Sequence, residues 1–298
     1  MNFFRQVLRN PKLLVITLLN KFGHNIPDNR YIKYKFRLEL GYTPDLEHPR
    51  TFNEKLNWLK LNHREDLYTR MADKYQVKEY ISNTIGDEYV VPLICVWENM
   101  DEIDIEVLPS EFVLKATHDS SGAIVCRAKD NYNQTIVAKH FNKVMARNYF
   151  YSCREWPYKN IKPRIIAEVL LKSDDCNSPM RDYKFMCFNG VPRLMYCTVK
   201  GTDVYENYYD MNFNPVSINR GFPRHIPEFA KPQHFTLMKD LAEKLAKDIP
   251  FVRIDFYESE GRVYFGEFTF YDWGGFKPFK DIEWDYKLGD WINLPEIK

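Results

Sequence analysis

The sequence predicts an α+β protein, in which a helical N-terminal region precedes antiparallel β-hairpins. Residues 1 to about 110 carry mostly helical patterns, whereas the later chain twice joins two β-rich runs by a short polar turn. These turns are Asn189-Gly190 and Glu258–Arg262, and short turns give antiparallel pairing. A length of 298 residues suits about two domains, or one large domain with an appended lobe.

The composition is that of a soluble globular protein, with 45% hydrophobic and 28% charged residues. A net charge of +1 gives no field that would attract a polyanion, so we expect no nucleic-acid partner. Six cysteines occur without C-x-x-C spacing, which favours reduced thiols in a cytosolic protein over a disulfide framework or a zinc site.

The N-terminal apolar run Leu13–Leu19 is too short to span a bilayer, which needs about 20 apolar residues. It lacks a small-residue cleavage site, so we do not assign a signal peptide. The flanking basic residues are Arg5, Arg9, Lys12 and Lys21. We expect this helix to pack on its own domain, and peripheral contact with a membrane is the alternative.

Helix signals continue through the first third of the chain. Thr51 and Glu54 have the spacing of a capping box, which predicts a helix beginning at Thr51. A further helix is predicted over Met71–Ile81, with Lys74 and Lys78 on one turn. Lysines in that arrangement usually form a solvated face. Val90–Ile94 then predicts a short strand.

The strand Glu111–Lys115 leads directly into the loop Ala116–Gly122, which is rich in small and hydroxylated residues. Backbone N–H groups of such a loop can bind phosphate oxygens, and Lys115 adds a point charge. Neither a Walker motif nor G-x-G-x-x-G is present. Ala123–Arg127 predicts the return strand of a hairpin that could fold over a nucleotide.

The segment Arg164–Leu171 has the composition of a buried strand, and Glu168 is its one acid. Glu168 is either a surface acid on an edge strand or an acceptor for an adenine amino group or a ribose. Asp182–Phe188 and Pro192–Thr198 flank the Asn189-Gly190 turn and predict a hairpin. Residues 203–232 show little periodicity, so we expect loops that could bind an acceptor substrate.

The hairpin Phe251–Tyr271 carries the strongest chemical signal. Because side chains alternate along a strand, Asp255 lies opposite or nearly opposite Glu267 if odd positions face odd positions. Arg253 shares that face. Opposed carboxylates are destabilising without compensation, and Mg²⁺ would compensate them. The alternative is that the acids are solvated or paired with Arg253 and Arg262.

Several blocks together carry a resemblance to a known family: TFNEKLNWLK, ADKYQVKEYI, FVLKATHDSSG, DYKFMCFNG and YFGEFTFYDWGGF. Over about residues 30–290, the chain resembles the TupA-like, teichuronopeptide-type ATP-grasp family, which is associated with polysaccharide biosynthesis. The resemblance implies an ATP-grasp fold, with two α+β lobes gripping ATP and a helical N-terminal region. The expected regions are 1–108 (helical), 109–172 (small lobe) and 173–298 (large lobe with a metal-binding hairpin).

The resemblance also implies the roles of particular residues. Arg253 and Lys115 would be catalytic. The residues implied for ATP are Lys74, Lys115, Thr117, His118, Asp119, Ser120, Ser121, Gly122, Glu168, Val169, Leu170, Leu171, Asp174 and Lys184. Those implied for magnesium are Asp255, Glu267 and Thr269. Thr269 departs from the family pattern, because many ATP-grasp ligases have Asn there, and a hydroxyl is a weaker ligand than an amide carbonyl.

The activity implied is carboxylate–amine ligation through an acyl phosphate, with ATP and Mg²⁺ as cofactors. A polysaccharide relative suggests a hexuronic acid as the sugar carboxylate and an amino acid as the amine. Three alternatives remain at this point: a sugar kinase, a metal-dependent glycosyltransferase and a scaffold on the inner membrane face. The glycosyltransferase would need metal-binding acids, for which the candidates are Asp101, Asp104 and Asp174-Asp175.

Overall fold

Helices and antiparallel sheets occur together in this chain, which confirms the α+β prediction. The structure is a computed structural model and describes residues 12–120, 122–173, 180–200 and 204–296. Its helices are α1 (Lys12–Phe22), α2 (Asp28–Leu40), α3 (Phe52–Asn62), α4 (Asp66–Ala72), α5 (Gln76–Thr84), α6 (Gln134–Met145), α7 (Phe150–Cys153), α8 (Phe235–Leu245) and α9 (Ile282–Asp290).

The predicted capping box begins α3. The Thr51 side chain accepts a hydrogen bond from the Glu54 N–H at 3.2 Å, and Glu54 Oε2 accepts one from the Thr51 N–H at 3.1 Å. Two of the N–H groups that a helix start leaves unpaired are thereby satisfied. The prediction of the helix start from the Thr-x-x-Glu spacing is confirmed.

The single helix expected over Met71–Ile81 is instead two helices, α4 and α5, with a break at Asp73. Asp73 has an extended backbone (φ −72°, ψ 113°). Its buried carboxylate accepts hydrogen bonds from the Tyr75 N–H at 2.9 Å and from Gln76 Nε2 at 2.8 Å. An aspartate side chain competes with helical hydrogen bonds in this way. The break turns Lys74 away from the regular helical surface.

The N-terminal helix α1 contacts α2 and α7 but buries none of its own residues. Only Leu19 packs against a buried cluster, which includes Tyr31. The apolar side chains that stay exposed are Leu14, Val15, Leu18 and Phe22. None of the helices in the described ranges is both long and apolar enough to cross a bilayer.

A four-stranded antiparallel sheet, called the small sheet below, has the order β1-β4-β2-β3. Its strands are β1 (Leu93–Trp97), β2 (Phe112–Ala116), β3 (Ile124–Cys126) and β4 (Ile165–Glu168). Helix α6 packs on it through Phe141, which joins Leu114 and Ala167 in one buried cluster. The β2–β3 hairpin agrees with the prediction, whereas β4 ends at Glu168 instead of extending to Leu171.

A six-stranded antiparallel sheet, the large sheet, has the order β10-β9-β5-β6-β7-β8. Its strands are β5 (Arg181–Phe188), β6 (Val191–Lys200), β7 (Val204–Tyr209), β8 (Pro215–Val216), β9 (Phe251–Ser259) and β10 (Arg262–Thr269). At the β5–β6 turn, Asn189 and Gly190 have φ values of 50° and 84°, as the predicted tight turn requires. Strands β7 and β8 lie in the segment expected to be loops.

The large sheet has one apolar and one polar face. Helix α8 packs on the apolar face, where Met238 and Ala242 join Phe185 and Ile254 in the main buried cluster. On the polar face, the strand register places one residue of each strand side by side from β10 to β7. In that order they are Glu267, Asp255, Lys184, Tyr196 and Tyr208. The polar face thereby carries a row of charged and hydroxyl-bearing side chains.

Candidate functional site

A cavity of about 430 Å³ lies between the small sheet, the polar face of the large sheet and helix α5. Charged side chains from all three elements line it: Lys74, Lys78, Lys115, Lys184, Asp119, Glu168, Asp182, Asp255 and Glu267. Its apolar wall is formed by Val77, Ile81, Val90, Val91 and Phe265. An apolar wall beside a few convergent charges is typical of a site for a small molecule.

On the small-sheet side, Glu168 joins two lysines. Its carboxylate is 4% exposed and lies 2.5 Å from Lys78 Nζ and 2.6 Å from Lys115 Nζ. Burial alone would raise the pKa of Glu168, but Lys115 and Lys78 together hold that pKa below its usual range. The three groups carry a net positive charge into the cavity. Lys78 is a site residue that the sequence prediction did not include.

Lys74 lies at the break between α4 and α5 and connects that break to the loop after β2. Its backbone N–H donates to the Thr117 carbonyl at 3.2 Å, and its Nζ donates to the Asp119 carbonyl at 2.5 Å. Burial lowers the pKa of Lys74, and the Glu267 carboxylate acts in the opposite direction. The ammonium group is therefore held by the loop and interacts electrostatically with the β10 acid.

Only part of the loop Ala116–Gly122, which the sequence predicts to bind phosphate, faces the cavity. Asp119, Ser120 and Gly122 line it, and Ser121 lies outside the described residues. Thr117 is fully buried and its hydroxyl bonds to the Lys162 carbonyl at 3.2 Å. His118 is also buried, and its Nε2 lies 3.2 Å from the Val144 carbonyl.

Asp119 and Gly122 are held by side chains of α6 and the segment that follows it. Arg147 Nε donates to Asp119 Oδ2 at 2.9 Å. The Gly122 carbonyl lies 2.9 Å from His140 Nε2, and Gly122 has a φ of 95° that favours glycine. These contacts fix the course of the loop beside the cavity.

The end of β4 and the residues after it, Glu168, Val169, Leu170 and Leu171, are among those implied for ATP binding. The Val169 N–H donates to the Pro92 carbonyl at 3.1 Å, and its side chain is exposed. Leu170 and Leu171 are partly buried. Among the described residues that line the cavity, this segment is represented by Glu168 alone, and Asp174 lies outside the described ranges.

On the large-sheet side, Asp255 and Glu267 are direct partners in the β9–β10 register, as the alternation predicted. Asp255 is 1% exposed. Arg253 Nε and Nη2 donate to its two oxygens at 2.7 and 2.8 Å, and Nη2 also reaches Glu267 Oε1 at 2.9 Å. Lys184 forms a buried ion pair with Asp255. Arg253 and Lys184 thus balance the opposed carboxylates.

A bulge at Gly266 makes this pairing possible. The register shifts between Phe265, which pairs with Phe256, and Glu267, which pairs with Asp255. A Cβ on Gly266 would lie 2.8 Å from Tyr257 Cε2 and 3.0 Å from the Asp255 carbonyl. Bulges redirect side chains and are common beside active sites. Here the bulge places Phe265 with the apolar side chains and Glu267 with the acids.

The donor set fits magnesium bound together with a nucleotide. No group of three or more His, Cys, Asp or Glu side chains suited to a metal occurs within the ranges that the structure describes. Mg²⁺ does not need one, since it commonly uses one or two carboxylates together with phosphate oxygens and water. Asp255 and Glu267 supply two carboxylates on the cavity wall. The Thr269 hydroxyl lies 3.3 Å from Glu267 Oε1, at the same end of β10.

Arg253 is anchored by residues that sequence reasoning missed. Its Nη1 donates to Asp272 Oδ1 at 2.8 Å and to the Tyr196 hydroxyl at 3.1 Å. Asp272 is fully buried and also pairs with Arg220. Burial would raise the pKa of Asp272, but Arg220 and Arg253 hold it below its usual range. The only sequence signal was the position of Asp272 three residues after Thr269.

Comparison with known families identifies the family of this chain. The family model described as TupA-like ATP-grasp matches residues 54–293, which confirms the resemblance and the ATP-grasp fold expected from the sequence blocks. No curated protein matches the chain.

The chain is similar to several solved structures at low identity. For D-alanine–D-alanine ligase from Bacillus anthracis complexed with ATP, the identity is 11% and the TM-score 0.40, over 67% of this chain and 54% of that one. For D-alanine–D-alanine ligase from Helicobacter pylori, the identity is 14% and the TM-score 0.41, over 81% of this chain and 69% of that one. For the ATP-grasp ligase PsnB complexed with minimal precursor, the identity is 10% and the TM-score 0.39, over 68% of this chain and 53% of that one. The chain therefore spans about half the length of the first of these ligases.

Proposed function

Because the chain belongs to the TupA-like ATP-grasp family, we propose that it is an ATP- and magnesium-dependent carboxylate–amine ligase. The observation that carries the proposal is the Asp255–Glu267 pair bridged by Arg253, on the wall of a cavity that also contains four lysines. This arrangement suits phosphoryl transfer, in which positioning and electrostatic stabilisation supply most of the catalysis.

ATP would lie between the two sheets. Lys115 and Lys74 would contact its phosphates, and we add Lys78, whose ammonium shares the Glu168 carboxylate with Lys115. Val77, Ile81 and Phe265 offer apolar contacts for the base. We accordingly propose residues 109–172 as the small lobe and 173–298 as the large lobe.

Asp255 and Glu267 would hold magnesium, with the Thr269 hydroxyl as a weaker third ligand. Magnesium, when bound, offsets negative charge on the transferring phosphoryl group. Arg253 would contact that group through Nη2. Because its Nη1 is anchored by Asp272 and Tyr196, the guanidinium keeps its orientation when phosphate replaces the carboxylates as its partner.

The reaction follows from these positions. A substrate carboxylate oxygen attacks the γ-phosphorus of ATP, the bond to ADP breaks, and an acyl phosphate forms. The lone pair of an amine then attacks the acyl carbon, phosphate leaves, and the amine loses a proton to give an amide. The family association with polysaccharides supports a hexuronic acid as the carboxylate and an amino acid as the amine. A cytoplasmic location is proposed because ATP is the substrate.

The test is ADP release by the purified protein with Mg-ATP and a panel of hexuronic acids and amino acids, followed by mass spectrometry of the products. The proposal predicts ADP together with a product heavier than the uronic acid by the amino acid less water. ADP formed without any amine, with a product heavier by a phosphate, would identify a sugar kinase. Absence of ADP from every mixture would contradict both.

A further inference from the structure

The turn Asp272–Gly275, which follows β10, places an exposed aromatic side chain beside the catalytic arginine. Asp272 is fully buried and binds Arg253, whereas the next residue, Trp273, is 43% exposed. Trp273 has a left-handed backbone (φ 50°, ψ 31°), which is strained for a non-glycine residue. Its neighbours Asp272 and Gly274 are buried. The backbone therefore directs the indole outward, one residue after Asp272, which anchors Arg253.

Two further side chains support the indole and complete a platform, which we define as Trp273, Phe222 and Lys277. The Trp273 and Phe222 rings are stacked, with centroids 5.2 Å apart and an interplanar angle of 27°. Lys277 Nζ lies 4.5 Å from the Phe222 centroid and 5.2 Å from that of Trp273. Within the described ranges, this ammonium has no acid at ion-pair distance, and the carboxylates of Glu206 and Glu39 act on it from farther away. Burial lowers the pKa of Lys277, and the neighbouring Arg220 acts in the same direction.

The platform is rigidly connected to the candidate active site. Arg220 Nη2 donates to the Lys277 carbonyl at 2.9 Å, and Nη1 of the same guanidinium pairs with Asp272. Arg220 is itself fully buried. Because consecutive Cα atoms are about 3.8 Å apart, the Trp273 backbone lies within roughly 10 Å of the Arg253 guanidinium. A ligand of monosaccharide size on the platform can therefore extend to the Arg253 side chain.

The chemistry of these groups matches an acidic sugar. One face of a pyranose ring presents C–H bonds, which pack on the apolar and partly negative face of an aromatic ring. A carboxylate on the same sugar requires a cation, and Lys277 supplies one that is already desolvated in part and oriented by the rings. A neutral sugar would use the rings alone, and a simple organic anion would use Lys277 alone.

We propose that Trp273, Phe222 and Lys277 form the acceptor subsite, which binds an acidic pyranose with its ring on the exposed face of the Trp273 indole and its carboxylate directed between Lys277 and Arg253. The inference rests on the proposed ligase function and specifies the substrate class and the place where it binds.

The test is the binding of methyl glycosides of hexuronic acids to the full-length protein, by isothermal titration calorimetry in the presence of magnesium and a non-hydrolysable ATP analogue. The matched neutral ligand is the corresponding methyl hexoside. Two variants remove the two features separately: Trp273→Asn, because Asn tolerates the left-handed backbone, and Lys277→Met, which keeps the aliphatic stem. Tyr34→Asn, which alters another exposed aromatic residue, is the control.

The proposal predicts that each platform variant weakens uronide binding by about tenfold, an effect of the size of one aromatic or ion contact. Affinity for the ATP analogue should change less than twofold, and Tyr34→Asn should match the wild type. Lys277→Met should also reduce the preference for the uronide over the neutral hexoside, and Arg253 should maintain the remaining preference. Uronide binding that is unchanged in both variants, or wild-type protein that binds ATP but no uronide, would overturn the subsite. Loss of ATP binding in the wild type would instead contradict the ligase function.

Discussion

Asp255 and Glu267 lie directly opposite each other across β9 and β10, and one nitrogen of Arg253 contacts both carboxylates. Like charges in opposed positions of a sheet are destabilising. They are kept here because Arg253 and Lys184 neutralise them, while the same oxygens line the cavity. The two carboxylates are thus compensated by cations without a metal, and their oxygens can still bind a metal from the cavity.

The first prediction concerns the more exposed member of the pair. Glu267→Gln should lower the rate of ADP release by about 100-fold or more, because one charged magnesium ligand is lost. The fold should persist, since Arg253 keeps Asp255 and Asp272 as partners. The measurement is ADP release against magnesium concentration, with thermal unfolding as the check on folding. A variant of normal rate and normal magnesium dependence would contradict the assignment of Glu267.

The second prediction concerns Thr269, whose hydroxyl lies 3.3 Å from Glu267 Oε1. Replacing Thr269 with Asn offers an amide carbonyl, a stronger neutral ligand for a hard cation. We expect the magnesium concentration for half-maximal ADP release to fall by a few-fold in Thr269→Asn and to rise in Thr269→Val, which keeps the shape and removes the oxygen. Equal magnesium dependence in all three proteins would place Thr269 outside the metal site.

The third prediction tests Lys78, the cavity residue that sequence reasoning omitted. Lys78→Met should raise the KM for ATP by about tenfold, because a partly desolvated ammonium facing phosphate oxygens is lost. Glu168 remains paired with Lys115 at 2.6 Å, so the small sheet should stay folded. Lys33→Met, which removes a lysine outside the cavity lining, is the control. An unchanged KM for ATP in Lys78→Met would show that this lysine has only a structural role.

The fourth prediction concerns the bulge. Gly266→Ala should destabilise the protein by about 1–3 kcal/mol, because its Cβ would lie 2.8 Å from the Tyr257 ring and 3.0 Å from backbone. The same shift should misplace Glu267 and reduce ADP release. Gly261→Asn is the matched control, since Gly261 has a φ of 70° with no atom near the added Cβ. Urea denaturation of both variants measures the difference, and equal stability would show that the bulge tolerates a side chain.

The fifth prediction uses Glu206, which lies buried on β7. Burial raises its pKa to about 7, and the nearby Asp272 acts in the same direction. A carboxyl with a raised folded-state pKa binds more protons when folded than when unfolded. The contribution of Glu206 to the free energy of unfolding therefore falls as pH rises from about 4.5 to 7, by up to roughly 3 kcal/mol. Glu206→Gln should remove this decrease.

Urea denaturation at pH 5 and pH 8 checks the sign. The stability of Glu206→Gln relative to the wild type should increase between the two values. Glu228 provides the control, because its hydrogen bonds from Asn207 and Tyr209 outweigh burial and lower its pKa. Glu228 therefore titrates below pH 5 in both the folded and the unfolded state, and the stability of Glu228→Gln relative to the wild type should stay constant between pH 5 and pH 8. The same trend in both variants would show that Glu206 does not have a raised pKa.

The sequence predicted the elements whose signals are local. The capping box at Thr51, the Asn189-Gly190 turn and the opposed acids on the last hairpin depend on neighbours a few residues away. Even there the local pattern was incomplete, because strict alternation places Phe265 and Glu267 on one face. The bulge at Gly266 separates them, and an isolated glycine in a strand only hinted at it.

The residues that sequence reasoning missed depend on contacts between distant segments. Lys78 was expected to be solvated because a regular helix carried it, and the break at Asp73 brought the neighbouring Lys74 towards the cavity. Asp272 and Arg220 are 52 positions apart, yet they form one buried ion pair. No periodicity encodes such a pair, since it forms only when distant segments of the chain pack together.

The most direct test of the central claim is the fate of the carboxylate oxygens. Once a substrate pair that releases ADP is identified, a hexuronic acid labelled with ¹⁸O in both carboxylate oxygens is used for one turnover and the released phosphate is analysed by mass spectrometry. Ligation through an acyl phosphate predicts one ¹⁸O atom in each phosphate and one in the amide. Phosphate without the label, or ADP formed with no free phosphate, would contradict the account.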